Sequence, residues 1–181
     1  MRTTDRLVLR PFRDTDLEPW AALNADPQVT QFLGGPLSRA ECDRDAAGIN
    51  EVYAAHGYGF LAVERRTDGV FLGACGLSKE QWYPDDLEIG WRLAREFWGH
   101  GYATEAAASW IEHGFTTLGL PRIIAVTDTP NVRSIAVMRR LGMRFDHEAV
   151  LEEDGVPFDA TIYSLTAEAW KAWTAWKASR R

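Results

Sequence analysis

Between Leu87 and Thr104 the chain reads LEIGWRLAREFWGHGYAT, and a helical run, Glu105–Leu118, follows it. Leu87, Ile89, Trp91 and Leu93 are apolar and alternate with Glu88 and Arg92, the period of a half-buried strand. Gly99 and Gly101 then interrupt the chain. Beyond them Ala103, Ala106, Ala107, Trp110, Ile111, Gly114 and Leu118 recur at helical spacing. A strand, a glycine turn and a helix N-terminus in that order form an anion site. The first-turn amides lack intrahelical partners, and the helix dipole adds partial positive charge there. Glycine lets a phosphate approach the backbone where a Cβ would obstruct it. The chemistry expected of this stretch is the holding of a phosphorylated cofactor.

Two common phosphate motifs do not fit. The P-loop pattern G-x-x-x-x-G-K-[ST] is absent, because no Lys or Arg follows Gly101 in the turn. The dinucleotide pattern G-x-G-x-x-G fails at its third glycine, which is Thr104 here. The segment instead resembles motif A of the GCN5-related N-acetyltransferase (GNAT) superfamily, [Q/R]-x-x-G-x-[G/A]. Here that motif reads Trp98-Gly99-His100-Gly101-Tyr102-Ala103, with Thr104-Glu105-Ala106 following and Trp98 in place of the usual Gln or Arg. The form W-G-x-G-Y-A-T-E-A is similar to the Rim-type branch, which contains ribosomal-protein N-terminal acetyltransferases. An opening R-L-x-L-R-x-F from Arg6, an N-x-x-S at Asn131 before L-G-M, and a closing D-G-x-x-x-D-x-x-x-Y extend the resemblance over nearly the whole chain.

The resemblance implies a single α/β domain over residues 1–181, with a mixed central sheet of about seven strands, helices on its faces, and fourth and fifth strands that splay apart. It implies acetyl-CoA as acyl donor and direct attack by a primary amine in a ternary complex. Ile89, Gly90, Trp91, Arg92 and Leu93 would present the edge that takes pantetheine like an added strand. Trp98, Gly99, His100, Gly101, Tyr102, Ala103 and Thr104 would cradle the diphosphate, with Asn131 and Ser134 as further cofactor contacts. Glu88 alternates away from the apolar set of its strand, where related enzymes often carry a catalytic Glu. It acts as base directly or through a water, or else orients the acceptor amine. An α-amine, with a pKa near 7.7–8.0, needs such help less than a lysine amine near 10.4. Glu152 and Glu153 are alternatives to it.

Many GNAT enzymes protonate the departing thiolate with a Tyr on the helix after the fifth strand, and Met138 stands at that position. Ser134 remains, hydrogen-bonding the CoA sulfur or donating a proton, against a plain role in capping. Arg139 and Arg140 precede a helix C-terminus and complement its dipole or meet a phosphate. Trp82 and Tyr83, in a Pro-containing loop, are expected with Glu88 to line the acceptor pocket. Two other readings stand beside the enzyme: a GNAT-like module that binds acyl-CoA without turnover, and a nicotinamide-dinucleotide enzyme.

The elements that must position these residues follow from local pattern. Arg6–Phe12 alternates as a strand, and a helix capped by Asp14 or Asp16 ends near Asn24. Pro19 favours the later cap. Ser38 and Glu41 form a capping box for a helix over Arg39–His56. Gly57–Arg66 and Val70–Leu77 read as a hairpin about Asp68-Gly69. Glu80–Asp86 is a loop, Arg122–Asp128 a strand, and Ser134–Leu141 a helix ended by Gly142. Met143–Glu153 and Val156–Leu165 form a second hairpin about Asp154-Gly155. Thr166 caps a last helix whose Trp170, Trp173 and Trp176 make a stripe, packed on the domain or else at a dimer contact.

At 181 residues the chain suits one domain, and 46% hydrophobic with 25% charged residues is ordinary for a soluble protein. Lys plus Arg is 20 and Asp plus Glu 26, giving a net charge of −6. That disfavours nucleic acid and anionic membranes as partners and suits a cationic amine substrate. Cys42 and Cys75 form no metal or C-x-x-C pattern, and the four His residues lack ligand spacing, so no metal is expected. No apolar run approaches membrane-spanning length and no signal peptide is evident, which predicts a cytoplasmic protein.

Overall fold

Among the described residues, alternating and continuous apolar runs become eight strands, and the helical runs become five helices. The computed structural model describes residues 1–153 and 155–179. The strands are β1 (Arg2–Thr3), β2 (Leu7–Arg10), β3 (Phe60–Arg65), β4 (Phe71–Ser78), β5 (Leu87–Leu93), β6 (Arg122–Asp128), β7 (Arg144–Glu153) and β8 (Val156–Thr166). The helices are α1 (Leu17–Ala25), α2 (Arg39–His56), α3 (Tyr102–Thr116), α4 (Val132–Arg140) and α5 (Ala167–Ala178). The sheet order is β1-β2-β3-β4-β5-β6-β8-β7. The expectation of about seven strands is short by β1, whose two residues are too few to show a period. The chain divides into two compact units, with β5 and α3 contributing to both.

The first unit holds residues 1–78 and 90–110. Strands β1 to β4 pair antiparallel in sequence order. Helix α2 spans the predicted Arg39–His56, with reciprocal Ser38 and Glu41 capping bonds. Phe12, Trp20, Leu23, Cys42, Ala46, Ala62 and Ala74 form the core, Phe12 meeting Trp20 edge-on at 5.3 Å. Asp16 departs from its expected role. It stands at the N-cap of α1 but makes no side-chain cap bond. Its carboxylate is held instead by Arg10 at 2.5 and 2.9 Å and by Arg13 N–H at 2.8 Å. Arg10 is 4% and Asp16 2% exposed, and Glu64 completes the cluster at 2.7 Å. A guanidinium this deep needs the bidentate partner more than the helix needs the cap.

The second unit holds residues 79–89 and the described residues from 111 on. Leu87 and Glu88 pair in parallel with Ile123 and Ile124, while β6, β8 and β7 are antiparallel. Phe115 packs on Trp170 at 5.4 Å, and Trp173 lies against Gly142, which has φ +82°. Two of the three stripe tryptophans are therefore packed within the unit, and Trp176 is half exposed. Thr166 Oγ1 accepts from Ala169 N–H at 3.2 Å, the predicted cap. Asp154 of the predicted hairpin turn lies outside the described residues. Among the described residues no helix is long and apolar enough to cross a membrane, and no three His, Cys, Asp or Glu side chains gather as metal ligands.

Candidate active site

After β5 the chain makes a single 3-10 turn at Arg95–Phe97 and enters the glycine turn. Trp98 is turned inward, its indole N–H donating to Leu93 C=O at 2.8 Å. Gly99 and Gly101 both have φ +80°, a left-handed conformation costly for any residue with a Cβ. Helix α3 starts at Tyr102, its first intrahelical bond running from Glu105 N–H to Gly101 C=O at 3.0 Å. The amides of Tyr102, Ala103 and Thr104 thus have no partner one turn back. Residues 99–101 are exposed, and a Cβ on Gly99 would meet nothing within 4 Å. An open, positively polarised cradle of this kind fits a phosphate group.

The side chains of β5 have local duties. Ile89 and Leu93 are buried. A Cβ on Gly90 would lie 2.7 Å from the Phe60 ring, so Gly90 is explained by packing. Arg92 donates to Asn24 Oδ1 at 2.5 Å and lies 5.4 Å over the Trp20 ring. Trp91 is half-buried. Trp91 aside, these side chains are engaged, and it is the backbone that remains to serve as a ligand edge.

Glu88 lies in the second unit. Burial pushes its carboxylate up to about 8, with Glu80 and Glu153 adding like-charge repulsion. One long bond, from Val126 N–H at 3.3 Å, opposes this. That amide lies two residues beyond Ile124, where β5 and β6 pair through the backbone, so the Glu88 side chain stands in for a strand partner. The loop before β5 is pinned to β7. Trp82 Nε1 donates to Glu152 C=O at 2.8 Å, and the Tyr83 hydroxyl meets His147 Nε2 at 2.9 Å. Pro157 lies opposite Glu152 and has no N–H to offer that carbonyl. Arg122 clasps Asp86 at 2.6 and 3.0 Å. His147 was unremarkable by spacing; its link to Tyr83 spans 64 residues.

Asn131 caps α4, accepting from Ser134 N–H at 3.2 Å and donating to Thr127 Oγ1 at 2.9 Å. Both ends of its amide are engaged. The Ser134 hydroxyl has no hydrogen-bond partner among the described residues. Met138 is buried, and Arg139 donates to the Tyr163 hydroxyl at 3.0 Å, an alternative to a phosphate.

A family model described as an acetyltransferase (GNAT) domain matches residues 6–144. The uncharacterised N-acetyltransferase YoaA of Bacillus subtilis is 32% identical over 171 residues, covering 90% of this chain and 94% of the relative. A GNAT-family acetyltransferase structure from Bacillus anthracis superposes with a TM-score of 0.81 at 23% identity, over 92% of this chain and 98% of that one. The ribosomal-protein α-N-acetyltransferase RimL, solved in complex with coenzyme A, gives a TM-score of 0.77 at 18% identity, over 93% and 98%. At these identities the two structures speak for the fold.

Proposed function

Because the chain belongs to the acetyltransferase (GNAT) family, we propose that it moves the acetyl group of acetyl-CoA to a primary amine, with a protein N-terminal α-amine as the leading acceptor. Residues 1–181 serve as one N-acetyltransferase domain in this reading. The observation that carries it is Glu88. A carboxylate raised to about 8 matches the pKa of an α-amine, near 7.7–8.0, so its ionised form, which grows toward pH 8, is basic enough to take the proton of the acceptor. The Rim-type form of the glycine turn supports the same acceptor class. Buried, unpaired Cys42 and Cys75 suit a reducing cytoplasm.

Acetyl-CoA supplies an activated thioester, and the chain's own groups do the rest. The amides of residues 99–104 hold the diphosphate, and the backbone of β5 offers a strand edge to pantetheine. Glu88 accepts a proton as the amine nitrogen bonds the acetyl carbon. Ser134 offers its hydroxyl to the sulfur as the C–S bond breaks. Trp82 and Tyr83, fixed through β7, face the acceptor.

The test is thiol release from acetyl-CoA against a panel of peptides and small amines, beside titration of coenzyme A into wild type and Gly101→Val. We expect transfer to peptide α-amines and about a 100-fold weaker Kd for Gly101→Val, since a β-branched residue at positive φ both distorts and fills the cradle. Coenzyme A binding with no transfer to any acceptor would replace the enzyme with a binding module.

A further inference from the structure

The opening R-L-x-L-R motif sets two arginines four residues apart, and only Arg10 is committed to the core. Arg6 precedes β2 and its side chain is 49% exposed. Its Nε donates to Glu105 Oε2 at 2.6 Å and its Nη1 to His100 C=O at 3.0 Å. The guanidinium lies 4.7 Å over the Tyr102 ring. Arg6 therefore touches the turn and the first turn of α3 at three residues. Its Nη2 has no hydrogen-bond partner among the described residues and lies 3.4 Å from the position a Cβ on Gly101 would take.

The turn has a matching deficiency. Residues 98–104 contain no Lys or Arg, and Trp98, in place of the motif's Gln or Arg, directs its only donor inward to Leu93. Glu105 meanwhile brings a carboxylate into the first turn of the helix, where an incoming diphosphate would be repelled. Burial alone would raise its pKa, but bonds from Thr4 at 2.6 Å and from Arg6 outweigh this and hold it below the usual glutamate value.

We propose that Arg6 is the cation of the diphosphate site, cancelling the Glu105 charge with one nitrogen, fixing the turn with a second and offering Nη2 to the phosphates. The proposal rests on the reading that residues 99–104 bind coenzyme A. Removing Arg6 takes away an attraction and uncovers a repulsion, so both terms weaken binding.

Coenzyme A affinity is measured by calorimetry at several salt concentrations for wild type, Arg6→Gln, Arg6→Lys, the double variant Arg6→Gln/Glu105→Gln and Gly101→Val. Arg6→Gln should raise Kd about 10- to 100-fold and flatten its salt dependence. Arg6→Lys should recover part of both, and the double variant part of the affinity, because the uncovered carboxylate is gone. If Arg6→Gln weakens binding but keeps the wild-type salt dependence, Arg6 only shapes the turn and the proposal falls. If Arg6→Gln binds as wild type while Gly101→Val does not, the cation lies elsewhere and the turn still holds the phosphates. If Gly101→Val also binds as wild type, the phosphate turn itself is misassigned.

Discussion

Glu105 and Glu88 are the same side chain in opposite electrostatic surroundings. Glu105 opens α3 in the first unit and accepts from Thr4 Oγ1, Arg6 N–H and Arg6 Nε. It stays anionic and acts as a tie. Glu88 in the second unit is desolvated, has carboxylates at Glu80 and Glu153 for company, and accepts one long bond from Val126. It holds its proton to about pH 8. The number and charge of donors decide which carboxylate is a strut and which can exchange a proton near neutral pH.

The comparison breaks first at Glu88. Glu88→Gln should lower kcat for a peptide α-amine about 100- to 1000-fold, and the Glu88 share of the rise in rate toward pH 8 should disappear, leaving that of the acceptor amine itself. An undiminished rate would leave Glu88 as an orienting group. The same variant should gain stability. A carboxylate whose folded pKa is raised costs nothing below its unfolded value. Its cost grows through the window from 4.5 to about 8 and is full above it. Thermal melts should therefore show Glu88→Gln above wild type in alkali and level with it in acid. Ser134→Ala should reduce kcat about 10-fold, more than it weakens coenzyme A affinity, and should leave the α4 cap intact, since the cap is made by its N–H and not its hydroxyl. Equal rates would leave only the cap. The smallest effect belongs to Glu105→Gln, a loss of about 1–2 kcal/mol near neutral pH. Its sign with pH is the reverse: the contribution of Glu105 is present above the unfolded glutamate pKa and fades as pH falls through its lowered folded value. The gap between variant and wild type should close in acid.

What was legible in the sequence is what local chemistry dictates. Helix α2, strand β6, the Thr166 cap and the glycine turn were placed from periodicity, capping residues and glycine alone, and the motifs pointed to the family. The turn is made of backbone, and backbone conformation is written locally. Side-chain partnerships across the fold are not. The Asp16 cap gave way to Arg10, whose second partner, Glu64, lies 54 residues from it. Arg6 meets Glu105 across 99 residues, and Tyr83 meets His147 across 64. The like charges that raise Glu88 come from positions on both sides of it in the chain, and no window on β5 displays them. Gly90 read as part of a ligand edge, and only the Phe60 ring above it reveals a packing reason.

Trp82 ties the loop of residues 80–86 to the outermost strand of the sheet. Strand β7 is outermost in the sheet, Pro157 cannot serve the Glu152 carbonyl, and the Trp82 indole does so from the neighbouring loop. Redesign of residues 80–86 without a donor at this place would release the loop from β7. Diversification of this loop is thereby constrained to replacements that keep a donor for Glu152.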